Sequence, residues 1–281
     1  MSYPVARYQI ADADSRRPQA CVWGDALEKF YQVGEGVLFE DDFVTVVHNT
    51  TDASSADGKW FIQDAAAGGT SESLIGKEGY GGLATLSAAT GTAHFGIEMQ
   101  RASAATVGAF VETPGSTTDA KGIVVFEARL TIDVSELQFV GLTECIANFL
   151  GATSALPDDS DYIGFYKTAG GNLTFVSRND NAAGTAVEFN STSLIDSGDL
   201  TDGGTYRLGF RVNQDGTVEV GVNDTHYVAL DSTSGKRCDL TAIPEEALTA
   251  RICLGRGGGA DTTVGSDIDY VRVYNGPDSN G

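Results

Sequence analysis

Residues 267–274 read Asp-Ile-Asp-Tyr-Val-Arg-Val-Tyr, a run in which valines and tyrosines alternate and two carboxylates stand at the entry. Successive side chains of a strand point to opposite faces, so this period of two predicts a β-strand. The same period recurs at 122–133, where Val124, Phe126, Ala128, Leu130 and Ile132 share one side and Glu127, Arg129 and Thr131 the other. That is the pattern of a strand half buried in a sandwich. It recurs at 206–213, with Tyr206, Leu208, Phe210 and Val212 inward and Arg207 and Arg211 outward. The turn Asn213-Gln214-Asp215-Gly216 and the return Val218, Val220, Val222 then predict a hairpin. Further strands are expected at Phe139–Thr143, Tyr162–Lys167, Leu173–Arg178 and Arg251–Leu254. The fold class is all-β.

Composition supports this. A chain of 281 residues with 41% hydrophobic residues, 35 glycines and 6 prolines suits short strands joined by tight turns, and is long enough to bury a core. Eighteen bases against 39 acids leave a net charge of −21. A phosphate backbone needs a basic surface, so nucleic acid is excluded as a partner. No run approaches the ~20 apolar residues of a membrane span. Residues 1–20 are polar and charged without a continuous apolar core, so no signal peptide is expected and folding in a cytoplasm is. Cys21, Cys145, Cys238 and Cys253 are scattered, and are expected to be reduced, buried small hydrophobes.

Residues 1–36 differ in character from the rest of the chain. Trp23 to Tyr31 has the spacing of two amphipathic helical turns, and Val22, Trp23, Leu27, Phe30 and Tyr31 need a surface to bury against. The expected organisation is an N-terminal arm (1–36), one β-sandwich (37–276) and a C-terminal tail (277–281). The arm covers one edge of the β domain or docks on a neighbouring subunit. Aromatic residues are enriched at interface hot spots, so Trp23, Leu27, Phe30 and Tyr31 are the expected anchors.

Catalytic constellations are sparse. A retaining glycosidase sets two carboxylates on one face of a strand about 5–5.5 Å apart. The nearest approach here is Asp133-Val134-Ser135-Glu136, with the wrong spacing, while Glu144 after Phe139–Thr143 is a single acid. His48, His94 and His226 are distant from one another, and no GxSxG, HExxH or Walker pattern occurs. The glycine run 255–260 follows an expected strand but precedes no helix, so it reads as a long turn. A sugar-binding face would draw on Trp60, Phe61, Tyr80, Tyr162 and Tyr166. No catalytic residue and no required cofactor is expected.

The ending Asp-Tyr-Val-Arg-Val-Tyr resembles the closing strand of concanavalin A-like jelly rolls, the fold of legume lectins and bacterial laminarinases. That resemblance implies a jelly-roll β-sandwich. It also implies a structural calcium, for which Asp269 matches the closing-strand ligand and Asp41 and Asp42, within Phe39-Glu40-Asp41-Asp42-Phe43, match the first-strand side. The alternative is that these acids cap strand ends in water. Three ordered stretches, Phe39–Phe43, Phe126–Leu130 continuing to Phe139–Thr143, and Asp161–Tyr166, are similar to bacteriophage structural proteins. This implies a non-enzymatic capsid decoration (cement) protein or virion appendage. Its partners would be the major capsid protein or other virion proteins, and it would form a homo-oligomer, with a trimer at threefold positions. The alternatives are a carbohydrate-binding, lectin-like module and a divergent glycoside hydrolase.

Overall fold

The computed structural model describes residues 36–42, 48–49, 60–64, 73–76, 84–88, 94–98, 111–112, 122–144, 156–179, 186–213, 217–223, 225–228, 230–238, 240–244, 247–255 and 264–277. Seventeen strands lie among them. They are β1 (Val37–Asp41), β2 (His48–Asn49), β3 (Trp60–Asp64), β4 (Ser73–Gly76), β5 (Ala84–Ala88), β6 (His94–Glu98), β7 (Val111–Glu112), β8 (Gly122–Ile132) and β9 (Leu137–Glu144), followed by β10 (Tyr162–Lys167), β11 (Leu173–Asn179), β12 (Val187–Asn190), β13 (Gly204–Val212), β14 (Val218–Val222), β15 (Thr225–Val228), β16 (Ala247–Gly255) and β17 (Val264–Pro277). The only helical element among the described residues is a 3-10 turn at Leu240–Ala242.

The strands form two sheets. The first runs β15-β14-β13-β8-β17-β5-β4, with β1 also on β17; the second runs β12-β11-β10-β9-β16-β6-β3-β2, with β7 also on β16. All pairings are antiparallel except the short β2–β3 contact. The molecule is therefore an all-β sandwich of jelly-roll type, as the alternation predicts. No helix among the described residues is long and apolar enough to cross a membrane. Of the assigned segments, the arm with Trp23, Leu27, Phe30 and Tyr31 lies outside the described residues, as do Cys21, Cys145, Tyr80, all but Gly255 of the run 255–260, and the tail beyond Pro277.

The core lies between the sheets. Val124, Phe126, Ala128 and Leu130 of β8, Leu208, Phe210 and Val212 of β13, and Val271 and Val273 of β17 face Val140, Leu142, Ile163, Phe165, Phe175, Ala250 and Ile252 of the second sheet. At its centre Phe210 stacks on Phe126 at 5.3 Å and meets Phe175 edge-on at 5.4 Å. Such pairs add about 0.5–1.5 kcal/mol beyond area burial, and truncating one to alanine costs about 3–5 kcal/mol. The expected hairpin is present, closed by the Asn213 amide to the Thr217 carbonyl at 2.9 Å. Cys238 and Cys253 are buried and form no disulfide.

One expectation needs correction. The polar sides of β8 and β13 were expected to face water, yet Glu127 is buried and Arg207 nearly so. Burial is tolerated because charge is answered locally. Tyr270 donates its hydroxyl to Glu127 Oε1 at 2.6 Å, Arg272 lies 3.9 Å from the same oxygen, and Arg272 also bonds Glu40 at 2.8 Å. The Arg272 guanidinium stacks over the Tyr270 ring at 4.3 Å. Buried residues occupy both faces of β8.

Candidate functional site

The second sheet has an outward face with its own chemistry. Parity along each strand puts Leu137, Phe139, Gly141 and Thr143 of β9 there, with Tyr162, Gly164 and Tyr166 of β10, Val176 and Arg178 of β11, and Thr249, Arg251 and Cys253 of β16. Register confirms it: Tyr162 pairs with Thr143 and Arg178, Gly164 with Gly141 and Val176, and Arg251 with Gly141. Leu137, Phe139, Tyr162, Val176 and Cys253 form a second small apolar cluster, against which Leu156 and Tyr166 pack. Phe139 meets Tyr162 edge-on at 6.1 Å.

Glycine is required at the centre of this face. Gly141 and Gly164 oppose each other, and a Cβ on Gly164 would stand 2.7 Å from the Gly141 Cα and 3.1 Å from the Phe139 ring. The missing side chains let the Phe139 ring lie over the sheet and hold Tyr166 beside it. Toward the edge strand the face opens: Tyr166 and Thr174 are half-buried, and Glu188 and Asn190 are exposed. Arg178 is fixed between the Glu188 carboxylate and the Asp158 carbonyl. Thr174 Oγ1 donates to the Tyr166 carbonyl at 3.1 Å. Burial pushes the Tyr162 and Tyr166 phenols above their ordinary range, and for Tyr162 the neighbouring Glu188 adds to the effect. Both phenols are therefore neutral.

The sequence-assigned acids are dispersed. Asp133 accepts from the Ser135 amide at 2.8 Å within its own turn. Glu144 opposes Leu248, a core residue, so it has the inward parity; its carboxylate accepts the Asp161 amide at 3.0 Å. Among the strands whose side chains are described, Glu188 is the acid on the outward face. Pairing also puts Glu98 in register with Arg251 and Glu112 in register with Ala247. Sequence reasoning missed these two because the register of a two-to-five-residue strand is set by its distant partner, β16. Trp60 and Phe61 lie on β3, where Phe61 is in register with Glu98. His48, His94 and His226 fall on β2, β6 and β15 and are not brought together by pairing.

At the closing strand, a bulge between Ile268 and Tyr270 brings Asp269 beside Arg129, whose Nη1 bonds Asp269 Oδ2 at 2.6 Å. Asp41 is buried opposite Val271, and Asp42 follows it half-buried. Among the described residues no group of three or more His, Cys, Asp or Glu could hold a metal ion. The side-chain partner seen for Asp269 is a guanidinium, and calcium at Asp41, Asp42 and Asp269 stays an expectation of the resemblance.

No protein-family model matches the chain, and no curated protein matches it. Solved structures do. An endo-1,3-β-glucanase from Streptomyces sioyaensis aligns with 94% of this chain and 100% of its own, at 12% identity and a TM-score of 0.48. LamAcat from Zobellia galactanivorans aligns with 85% of this chain and 97% of its own, at 14% identity and a TM-score of 0.49. The winged bean acidic lectin, complexed with methyl-α-D-galactose, aligns with 86% of this chain and 99% of its own, at 12% identity and a TM-score of 0.48. These are similarities of chain path.

They correct the virion reading. The sequence resemblance implied a non-enzymatic bacteriophage decoration protein, whereas the solved structures of similar path include several named as endo-1,3-β-glucanases and a lectin. The expectation that the chain is not an enzyme falls with it. The physical reason is visible in the residues that carried the resemblance. Phe126, Val140, Leu142 and Phe165 are buried between the sheets, so that pattern specifies a sandwich interior and carries no information about a virion.

Proposed function

We propose that this chain is a carbohydrate-directed protein that takes a saccharide on the β10–β12 side of the outward face of the second sheet. The observation that carries the reading is the half-buried Tyr166 ring, set between a glycine-floored aromatic cluster and a polar margin of Thr174, Asn190 and Glu188. Saccharides present apolar C–H faces ringed by hydroxyls. They suit an aromatic surface bordered by a few fixed hydrogen-bonding groups. Arg178, held by Glu188 and Asp158, is such a fixed donor. Its anchoring keeps the ordering cost of binding low.

The test is a titration of the whole protein against a panel of soluble glycans, with reducing-end release followed in the same samples. At least one glycan is expected to bind, and Tyr166→Ala is expected to weaken it about tenfold or more, the loss of one stacked aromatic contact, with an unchanged far-ultraviolet dichroism spectrum. Binding of no glycan, or equal binding by Tyr166→Ala, would overturn the proposal. Release of reducing ends would extend the reading to hydrolysis and direct mutagenesis to Glu98 and Glu112, the acids that pairing brings into register with β16.

A further inference from the structure

The outward face of the second sheet does not end at β12. Bridges join Ser191 to Asp231 and Leu230 to Arg237. The Thr192 amide donates to the Leu230 carbonyl at 2.7 Å, and the Ser232 amide to the Asn190 carbonyl at 2.8 Å. Two short extended segments, at 230–232 and at 237, therefore continue the sheet beyond its edge strand. Ser191 is buried on the core side, where its Oγ accepts the Phe175 amide at 2.8 Å. Asp231 is paired with it and shares its parity, so Leu230 and Ser232 face outward. Arg237, paired with Leu230, faces outward too. Thr192, Leu230, Ser232 and Arg237 are all exposed.

This margin has its own chemistry. Leu230, 39% exposed, is the exposed large hydrophobic residue among those described. Arg129, Arg178 and Arg272 are each answered by a carboxylate, from Asp269, Glu188 and Glu40. The Arg237 side chain has no carboxylate and no hydrogen-bond partner among the described residues. The chain has 39 acids for 18 bases, so a shortage of acids does not explain this. The acid of its own hairpin is engaged elsewhere: the Asp231 carboxylate accepts the Thr233 amide at 3.0 Å and the Ser234 amide at 2.6 Å. The Asp231 amide reaches the Lys236 carbonyl at 2.7 Å, and Gly235 completes the turn with φ +66°. These bonds fix the turn, and Arg237 stands on a rigid base.

We infer that the ligand of the proposed saccharide face is an acidic oligosaccharide, whose carboxylate or sulfate group pairs with Arg237 and whose sugar rings rest on Tyr166 and Leu230. This rests on the saccharide reading and adds the charge class of the ligand to it. Tyr166 and Arg237 stand four strand spacings apart, about 19 Å, so a ligand touching both spans several sugar units. A guanidinium offers paired N–H donors that match an oxyanion, and it sheds its hydration more readily than an ammonium. Glu188, the acid on the same margin, is bonded to Arg178, so its charge is answered locally. The net charge of −21 repels an anion from a distance. In about 0.15 M salt that field is screened beyond roughly 8 Å, and the local pair decides.

Matched pairs of oligomers, added to the glycan panel and titrated against the whole protein, test the inference. One pair is an oligogalacturonate and its carboxyl-reduced neutral form; the other is a sulfated galactan oligomer and its desulfated form. At least one acidic member is expected to bind about tenfold or more tightly than its neutral partner, the worth of one charge-assisted pair. Which pair shows the preference tells carboxylate from sulfate. Arg237→Gln is expected to bring the two members within about twofold, by a loss on the acidic side. Tyr166→Ala is expected to weaken both members alike. Equal or tighter binding of the neutral members, or an acidic preference that survives Arg237→Gln, would overturn the inference and leave the saccharide reading in place. So would binding of neither acidic oligomer when a neutral glycan of the panel binds. Binding of no glycan at all would instead overturn the saccharide reading, and this inference with it.

Discussion

Lys167 ends β10 on the core side with its ammonium inside the protein. Its Nζ donates to the carbonyls of Val134 at 2.9 Å, Glu136 at 2.5 Å and Thr168 at 3.2 Å. One side chain thereby ties the 133–136 turn to the β10–β11 hairpin, where the Gly170 amide reaches the same Val134 carbonyl at 2.8 Å. Burial pulls its pKa down, while Asp133, Glu136 and Asp202 oppose that shift. Lys167→Met would take this donor from the Glu136 carbonyl, while the Val134 and Thr168 carbonyls keep the Gly170 and Gly171 amides, and is expected to cost about 1–3 kcal/mol in urea unfolding; a loss within about 0.5 kcal/mol would show that water replaces the ammonium. Tyrosines give a second residue-scale prediction. Tyr162, Tyr166 and Tyr270 all have phenol pKa values raised, by burial first and for Tyr270 by Glu127 next. A folded pKa above the unfolded value of about 10 means stability fully present below that pH and lost as pH rises through the window above it. Phenolate absorbance should therefore show at least two tyrosines, Tyr162 and Tyr270, ionising only with alkaline unfolding. Titration of all tyrosines near pH ~10 in a folded protein would contradict this. None of this was legible in the sequence. Alternation marks Arg207 and Glu127 as lying opposite the core, but a second layer of burial depends on partners far away in the chain.

At the scale of elements, the Gly141–Gly164 pair holds β9 and β10 together under the Phe139 ring. Gly164→Ala is expected to part the two strands, at about 1–3 kcal/mol for overpacking. Amide exchange at Leu137–Glu144 and Tyr162–Lys167 should quicken before the rest of the sheet. Uniform exchange across both sheets would place the strain elsewhere. The strands read correctly from sequence, such as β8, β13 and β14, carry large apolar residues on a period of two. β4 and β5, with Ser73-Leu74-Ile75-Gly76 and Ala84-Thr85-Leu86-Ser87-Ala88, are short and small-residued, and their assignment comes from pairing with each other and with β17. β6 was readable in principle, since Phe95 and Ile97 alternate and stand in register with Leu254 and Ile252. Its two-residue pattern between Gly- and Ala-rich stretches is too short to be distinguished from a loop without β16 beside it.

For the whole molecule, a net charge of −21 sets the balance between solubility and self-repulsion. Raising salt to about 0.15 M shortens the screening length to roughly 8 Å, so Tm is expected to rise with added sodium chloride; a falling Tm would mean that attractive pairs such as Arg129–Asp269 and Arg272–Glu40 dominate. The sandwich was legible because burial periodicity is written locally. The proposed saccharide face was legible only as a set of aromatic residues, because which of them share a surface depends on strand register. The central claim is that the outward face of the second sheet is where a glycan sits. Hydrogen exchange of the whole protein with and without a bound glycan tests this most directly. The account predicts slowed exchange in 162–167, 173–179 and 187–190, with 204–212 and 218–222 of the first sheet unchanged. Protection confined to the first sheet would contradict it.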